Sequence, residues 1–189
     1  MNDVRDPDIS DSPPQSMEAL GFADQFLVWS VRVWAQSNNP DGTDPSHYYK
    51  LMREAFAKAG LKDTHLLFDH FMTLFTASLK RPLAFHAPNC SCLSREELFF
   101  VCLVADAQND MLPRALGNLE TYIAATGVRL TMNALMEFSQ DFAQEGILLE
   151  QVPDLEGPED KFRPGALRAD MANLTVHYMI QRWFGPPNS

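Results

Sequence analysis

SREELFFVCLVADAQ, residues 94–108, decides the fold class of this chain. Its middle, FFVCLV, favours β structure and is compatible with a buried strand, but two features argue for a helix. Ser94 and Glu97 stand in the S-x-x-E order of a capping box, in which hydroxyl and carboxylate satisfy each other's otherwise orphaned backbone donors. The apolar run also continues past the usual length of a strand. The reading is therefore a helix from Arg95 to about Gln108. Leu98, Phe99, Phe100, Val101, Cys102, Leu103 and Val104 make it apolar nearly all round, so it must be central and covered on several sides.

Upstream, the same periodicity recurs three times. Phe22, Phe26, Trp29 and Val33, widened by Leu27, Val31 and Trp34, predict a helix from about Met17 to Ser37, stopped by the turn formers Asn38, Asn39, Pro40, Asp41 and Gly42. Asp44 and Pro45 then supply an N-cap and a first helical residue. The helix they open carries Tyr48, Leu51, Met52, Ala55 and Phe56 on one side and stops at Gly60. A third begins after Asp63, with Leu66, Leu67, His70, Phe71, Leu74 and Phe75 as its expected apolar face, and ends before Arg81 and Pro82.

Downstream, helices are expected around Leu112 to Ala125 and Met132 to Phe142, separated by Gly127. Ile147 to Arg163 begins apolar and becomes an acidic loop broken by Pro153, Gly157 and Pro158. Leu167, Met171, Leu174, Tyr178 and Ile180 then mark a last helix, about Ala166 to Phe184, with Trp183 and Phe184 at its end and Gly185, Pro186 and Pro187 as its stop. No repeat and no alternating strand pattern appears. The expectation is all-α: a single-domain bundle of about seven helices over residues 17–189, preceded by a disordered acidic tail over 1–16.

Composition narrows the function. With 46% hydrophobic and 21% charged residues in 189, the chain can build a core without a disulfide framework. Its longest apolar run, Leu98 to Ala105, falls far short of the roughly 20 residues needed to span a bilayer. The polar start MNDVRDPDISDSPPQS lacks the order of a signal peptide, so a cytoplasmic location is expected. Fifteen Lys and Arg against 25 Asp and Glu give a formal net charge of -10, which repels nucleic-acid phosphates and anionic membrane surfaces and suits a basic protein partner. The oligomeric state is left open.

One constellation could carry chemistry. His86, Cys90 and Cys92, in the order H-x-x-x-C-x-C, place three soft or borderline donors on the connection LAFHAPNCSC ahead of the capped helix. They could hold zinc, or copper(I), as a structural staple or a sensor. The fourth ligand would come from Cys102, His65, His70, His177 or Asp106, although Cys102 lies about 15 Å along a straight helix from the loop. Two other readings compete: thiols tucked under the bundle, and a thiol-dependent enzyme with Cys90 or Cys92 as nucleophile and His86 as base.

Other residues read more plainly. Cys102 is a small core side chain, His70 a hydrogen-bonded core histidine, and His65 with Asp69 an exposed ion pair. Trp29 and Trp34 diverge by about 140° on a helix wheel, so one should lie at an interface or under another helix with Arg32 stacked near it, unless both are ordinary packing. Glu96 and Glu97 are explained by capping. The sequence contains no Gly-rich phosphate loop, nucleophile elbow, H-E-x-x-H or E-x-x-H pair. The leading expectation is a non-enzymatic helical protein that acts by binding another protein, as a regulator or adaptor.

Overall fold

The capping box at Ser94 forms as read. Its hydroxyl accepts the Glu97 backbone N–H at 3.1 Å and the Glu97 carboxylate accepts the Ser94 N–H at 2.9 Å, opening a helix over Arg95–Gln108. The computed structural model describes residues 16–38 and 44–150. Within them are six α-helices and no strand: α1 (Phe22–Ser37), α2 (Pro45–Lys58), α3 (Thr64–Ala77), α4 (Arg95–Gln108), α5 (Leu112–Tyr122) and α6 (Ala125–Gln144). The all-α class follows. Most of the expected tail, the acidic stretch after Glu150 and the expected helix over 166–184 lie outside the described residues.

α4 is the helix the others cover. It packs against α1, α5 and α6, while α6 runs along α3 and α2 closes over α1. Every residue from Glu97 to Ala107 is buried, as an all-round apolar helix requires. Phenylalanines join these layers. Phe26 stacks on Phe142 at 6.1 Å, Phe142 meets Phe138 at 5.0 Å, Phe138 stacks on Phe71 at 6.2 Å, and Phe71 meets Phe100 edge-on at 6.2 Å. Such ring pairs contribute about 0.5–1.5 kcal/mol each beyond their buried area.

Four expectations change. α3 turns a different face inward: Thr64, His65, Phe68, Phe71, Met72 and Phe75 are buried, whereas Leu66 is 50% exposed and His70 is also exposed. α3 has more apolar residues than one face can hold, and its larger Phe rings take the buried side, Phe68 against Phe138 at 5.3 Å and Phe75 against Phe100 at 5.0 Å. Trp29 and Trp34 are both buried, because α1 is covered along its whole middle, from Phe26 to Trp34; packing under other helices replaces the interface alternative, and Arg32 pairs with Glu97.

Gly127 does not separate α5 from α6. It lies in the first turn of α6, and the actual break is at Ile123 and Ala124. There the end of α3 is stitched to the α5–α6 corner: Ala124 donates to the Ser78 carbonyl at 2.8 Å and Lys80 to the Tyr122 carbonyl at 2.9 Å. Ser16, assigned to the tail from sequence, belongs to the folded body. It caps a 3-10 turn over Met17–Ala19 and forms an antiparallel bridge with Cys92.

Candidate functional site

The connection from Pro82 to Leu93 has no regular structure, so its backbone polar groups need partners from elsewhere. Arg32 supplies them from beneath. Its side chain is wholly buried, and all five of its N–H donors are used. Nε and Nη2 donate to the two Glu97 carboxylate oxygens at 2.8 Å each. Nη1 donates to the carbonyls of Cys90 at 2.6 Å and Ala87 at 3.4 Å, and Nη2 to that of Cys92 at 2.5 Å.

Glu97 is equally complete. Besides Arg32 it accepts the His86 N–H at 2.9 Å and the Ser94 N–H at 2.9 Å. Burial alone would push this carboxyl up, but the Arg32 hydrogen bonds and charge, with the Ser94 and His86 amides, hold it below its ordinary range. The pair is ionised and bidentate, the strong form of a charge-assisted contact. Met17 also donates to the Ser91 carbonyl at 2.8 Å, so the segment carrying both thiols is pinned by both Arg32 and Met17.

Of the three sequence-predicted ligands, two come together. The Cys92 N–H donates to Cys90 Sγ at 3.4 Å, and the two side chains are close enough to interact directly. Cys90 is half-buried and Cys92 exposed. His86 is buried and is not gathered with them. Among the described residues no three His, Cys, Asp or Glu side chains meet closely enough to hold a metal ion. Burial pushes the Cys90 thiol above its ordinary value; the Cys92 amide opposes this, the Cys92 thiol adds to the rise, and the Arg32 charge opposes it. That direction is opposite to what an activated nucleophile needs.

The other candidates have different tasks. His65 is buried and its Nδ1 lies 3.0 Å from the Lys62 carbonyl, while Asp69 accepts the Trp34 indole N–H at 2.8 Å, so the expected His65–Asp69 pair does not form. A local backbone carbonyl for His65 and a tertiary indole N–H for Asp69 outcompete a solvent-exposed ion pair. Asp106 is buried and accepts from Arg114 and, at 3.3 Å, from Asn118. Cys102 is buried in α4, and His177 lies outside the described residues.

Sequence reasoning did not single out Asp24. It is the third residue of α1, buried, with Oδ1 lacking a hydrogen-bond partner. A methyl group at Gly21 would sit 3.4 Å from Asp24 Oδ2 and 3.5 Å from Glu150 Oε1, so the two carboxylates flank one point. Burial raises the Asp24 carboxyl to about 6; the Glu150 charge adds to the rise, and the Glu150 and Gly21 amides oppose it. The only hint in sequence is a lone acid inside the aromatic run FADQFLVW.

A carboxyl raised by folding binds more protons in the native state. Stability from this group is present in acid and is lost as pH rises from about 4 through about 6. Asp24→Asn is expected to remove that slope. Melting temperatures of variant and parent at pH 4.5 and pH 8 check it: the variant should gain on the parent at the higher pH, and a constant difference would refute the assignment. No described helix is long and apolar enough to cross a membrane. No protein-family model, curated protein or solved structure matches the chain.

Proposed function

We propose that this chain is a non-enzymatic helical bundle that acts by binding another protein, with the outer face of α5 as its contact surface. The observation that carries this reading is the exposure of Leu112 and Leu116, one turn apart on α5 and each 39% exposed. Of that helix only Ala115 and Leu119 are buried. α6, which packs against α5, adds Leu130 at 53%. Exposed aliphatic side chains such as Leu112 and Leu116 keep apolar surface in water that a partner would remove, at about 25 cal/mol per Å².

Two further observations support it. Among the buried charged side chains, Arg32 and Glu97 are engaged with each other and with backbone and Asp106 with Arg114 and Asn118, which leaves these three, unlike Asp24, without a spare donor or acceptor for proton transfer. The net charge of -10 would steer a basic partner toward the chain.

Photo-crosslinking tests the reading. A benzophenone amino acid at position 116 of the full chain, in the cells that make it, is expected to capture another protein. The same group at exposed Lys50 should not, and Leu112→Glu should abolish the adduct. Equal labelling at both positions, or adducts only within this chain, would refute a partner-binding α5 face.

A further inference from the structure

The segment Cys90-Ser91-Cys92, just after the turn at Pro88 and Asn89, has a chemistry that partner binding does not use. Two thiols stand one residue apart on this short segment, one half-buried and one exposed, with the Cys92 amide 3.4 Å from Cys90 Sγ. The backbone under them is held at three points: the Cys90 and Cys92 carbonyls by the Arg32 guanidinium, and the Ser91 carbonyl by Met17. An irregular loop would ordinarily sample many arrangements, separating its thiols most of the time. Here a buried, fully used arginine keeps both residues on one rigid ledge, so that one thiol is always presented to the other at high effective concentration.

We propose that Cys90 and Cys92 form a dithiol site that exchanges with low-molecular-weight disulfides and closes reversibly into a disulfide between the two. Cys92, the exposed member, attacks first. Its thiolate forms a bond to one sulfur of the small disulfide, whose S–S bond breaks and releases one thiolate, which takes up a proton. Cys90, as thiolate, then attacks the Cys92 sulfur of the mixed disulfide. The new Cys90–Cys92 bond forms, the mixed S–S bond breaks, and the second small thiol leaves.

Two protein thiols are oxidised, one small disulfide is reduced to two thiols, and the two protons lost from the cysteines end on those thiols. Cys90 suits the second role because its attack is intramolecular, which offsets the smaller thiolate fraction of a thiol raised by burial. An exposed disulfide closed over a single residue belongs to the labile class, so the product should be reducible rather than a permanent staple.

The test uses the full chain, reduced and then equilibrated with mixtures of reduced and oxidised glutathione, acid-quenched, alkylated and mapped by peptide mass spectrometry. The expected result is a peptide containing both Cys90 and Cys92 that has lost two hydrogens and regains them with dithiothreitol, while buried Cys102 stays reduced. Cys90→Ser should stop at a glutathione adduct on Cys92. Cys92→Ser should react at least tenfold more slowly than the parent. Phenylarsine oxide, which bridges paired thiols, should block closure.

Three results would overturn the proposal: stable glutathione adducts on both cysteines of the unmutated chain, equal rates in the two serine variants, or stoichiometric zinc or copper that survives purification and is lost in Cys90→Ser with Cys92→Ser. The last would give these thiols to a metal instead. Because the readout is confined to two loop side chains, failure here leaves the α5 reading untouched, and the reverse also holds.

Discussion

Arg32→Met is expected to destabilise the chain by about 3–5 kcal/mol, the usual consequence of stranding one ion of a buried pair. Glu97 would keep its charge in a wholly buried position and lose two of its four donors. Arg32→Lys should do nearly as badly. One ammonium cannot reach both carboxylate oxygens and three carbonyls, which the planar guanidinium spans at once.

The informative variant is the double replacement Arg32→Met with Glu97→Met. Exchanging a buried ion pair for apolar side chains of similar volume is often neutral. It should not be neutral here, because the carbonyls of Ala87, Cys90 and Cys92 and the amides of His86 and Ser94 all lose partners. A residual loss of at least about 2 kcal/mol is expected, since each stranded buried group costs about 1–3 kcal/mol. Urea unfolding of the single and double variants measures this. A double variant as stable as its parent would mean that the arginine does not support the loop.

The same pair shows what sequence could and could not convey. Glu97 was legible as a capping residue because its partner, Ser94, is three positions away and the motif is local. Its partnership with Arg32 spans 65 positions and has no periodic signature. Arg32 stood among apolar residues, where stacking on a tryptophan was the nearest local explanation. α4 was legible as a central helix, and the C-terminal end of α1 and both ends of α2 fall where turn formers and caps put them, because those signals are also local; the start of α1, expected near Met17, is at Phe22, behind a separate 3-10 turn over Met17–Ala19.

The face of α3 was not legible: once apolar residues exceed one stripe, orientation is chosen by the rings of α4 and α6 that must interlock with it. The cysteine pair was visible as spacing. Its separation from His86 was not, since that follows from the His86 amide being drawn to Glu97.

Gly127 illustrates the same limit and gives the second large effect. Sequence alone treats a glycine between two helical patterns as a break. Inside α6 it ought instead to be a weakness, and Gly→Ala in a helix normally gains about 1 kcal/mol. The opposite sign is expected here. A Cβ at 127 would lie 2.1 Å from Ser78 Oγ and 2.4 Å from Ser78 Cβ, distances that rotation of the hydroxyl cannot relieve.

Ser78 cannot easily retreat, because its carbonyl holds the Ala124 amide at the α5–α6 corner. Gly127→Ala should therefore cost about 3 kcal/mol, at the upper end for overpacking and against its own helix propensity. Ser78→Gly removes both clashing atoms. The next nearest, Ser78 Cα, is 3.8 Å from the new methyl, an ordinary contact. Combined with Gly127→Ala it should recover most of the loss, short of the roughly 0.5–1 kcal/mol that a new glycine costs in chain entropy. Thermal melts of the two single variants and the double one complete the cycle. A strong favourable coupling is expected; additive losses would mean that α3 and α6 do not approach each other at this point as closely as described.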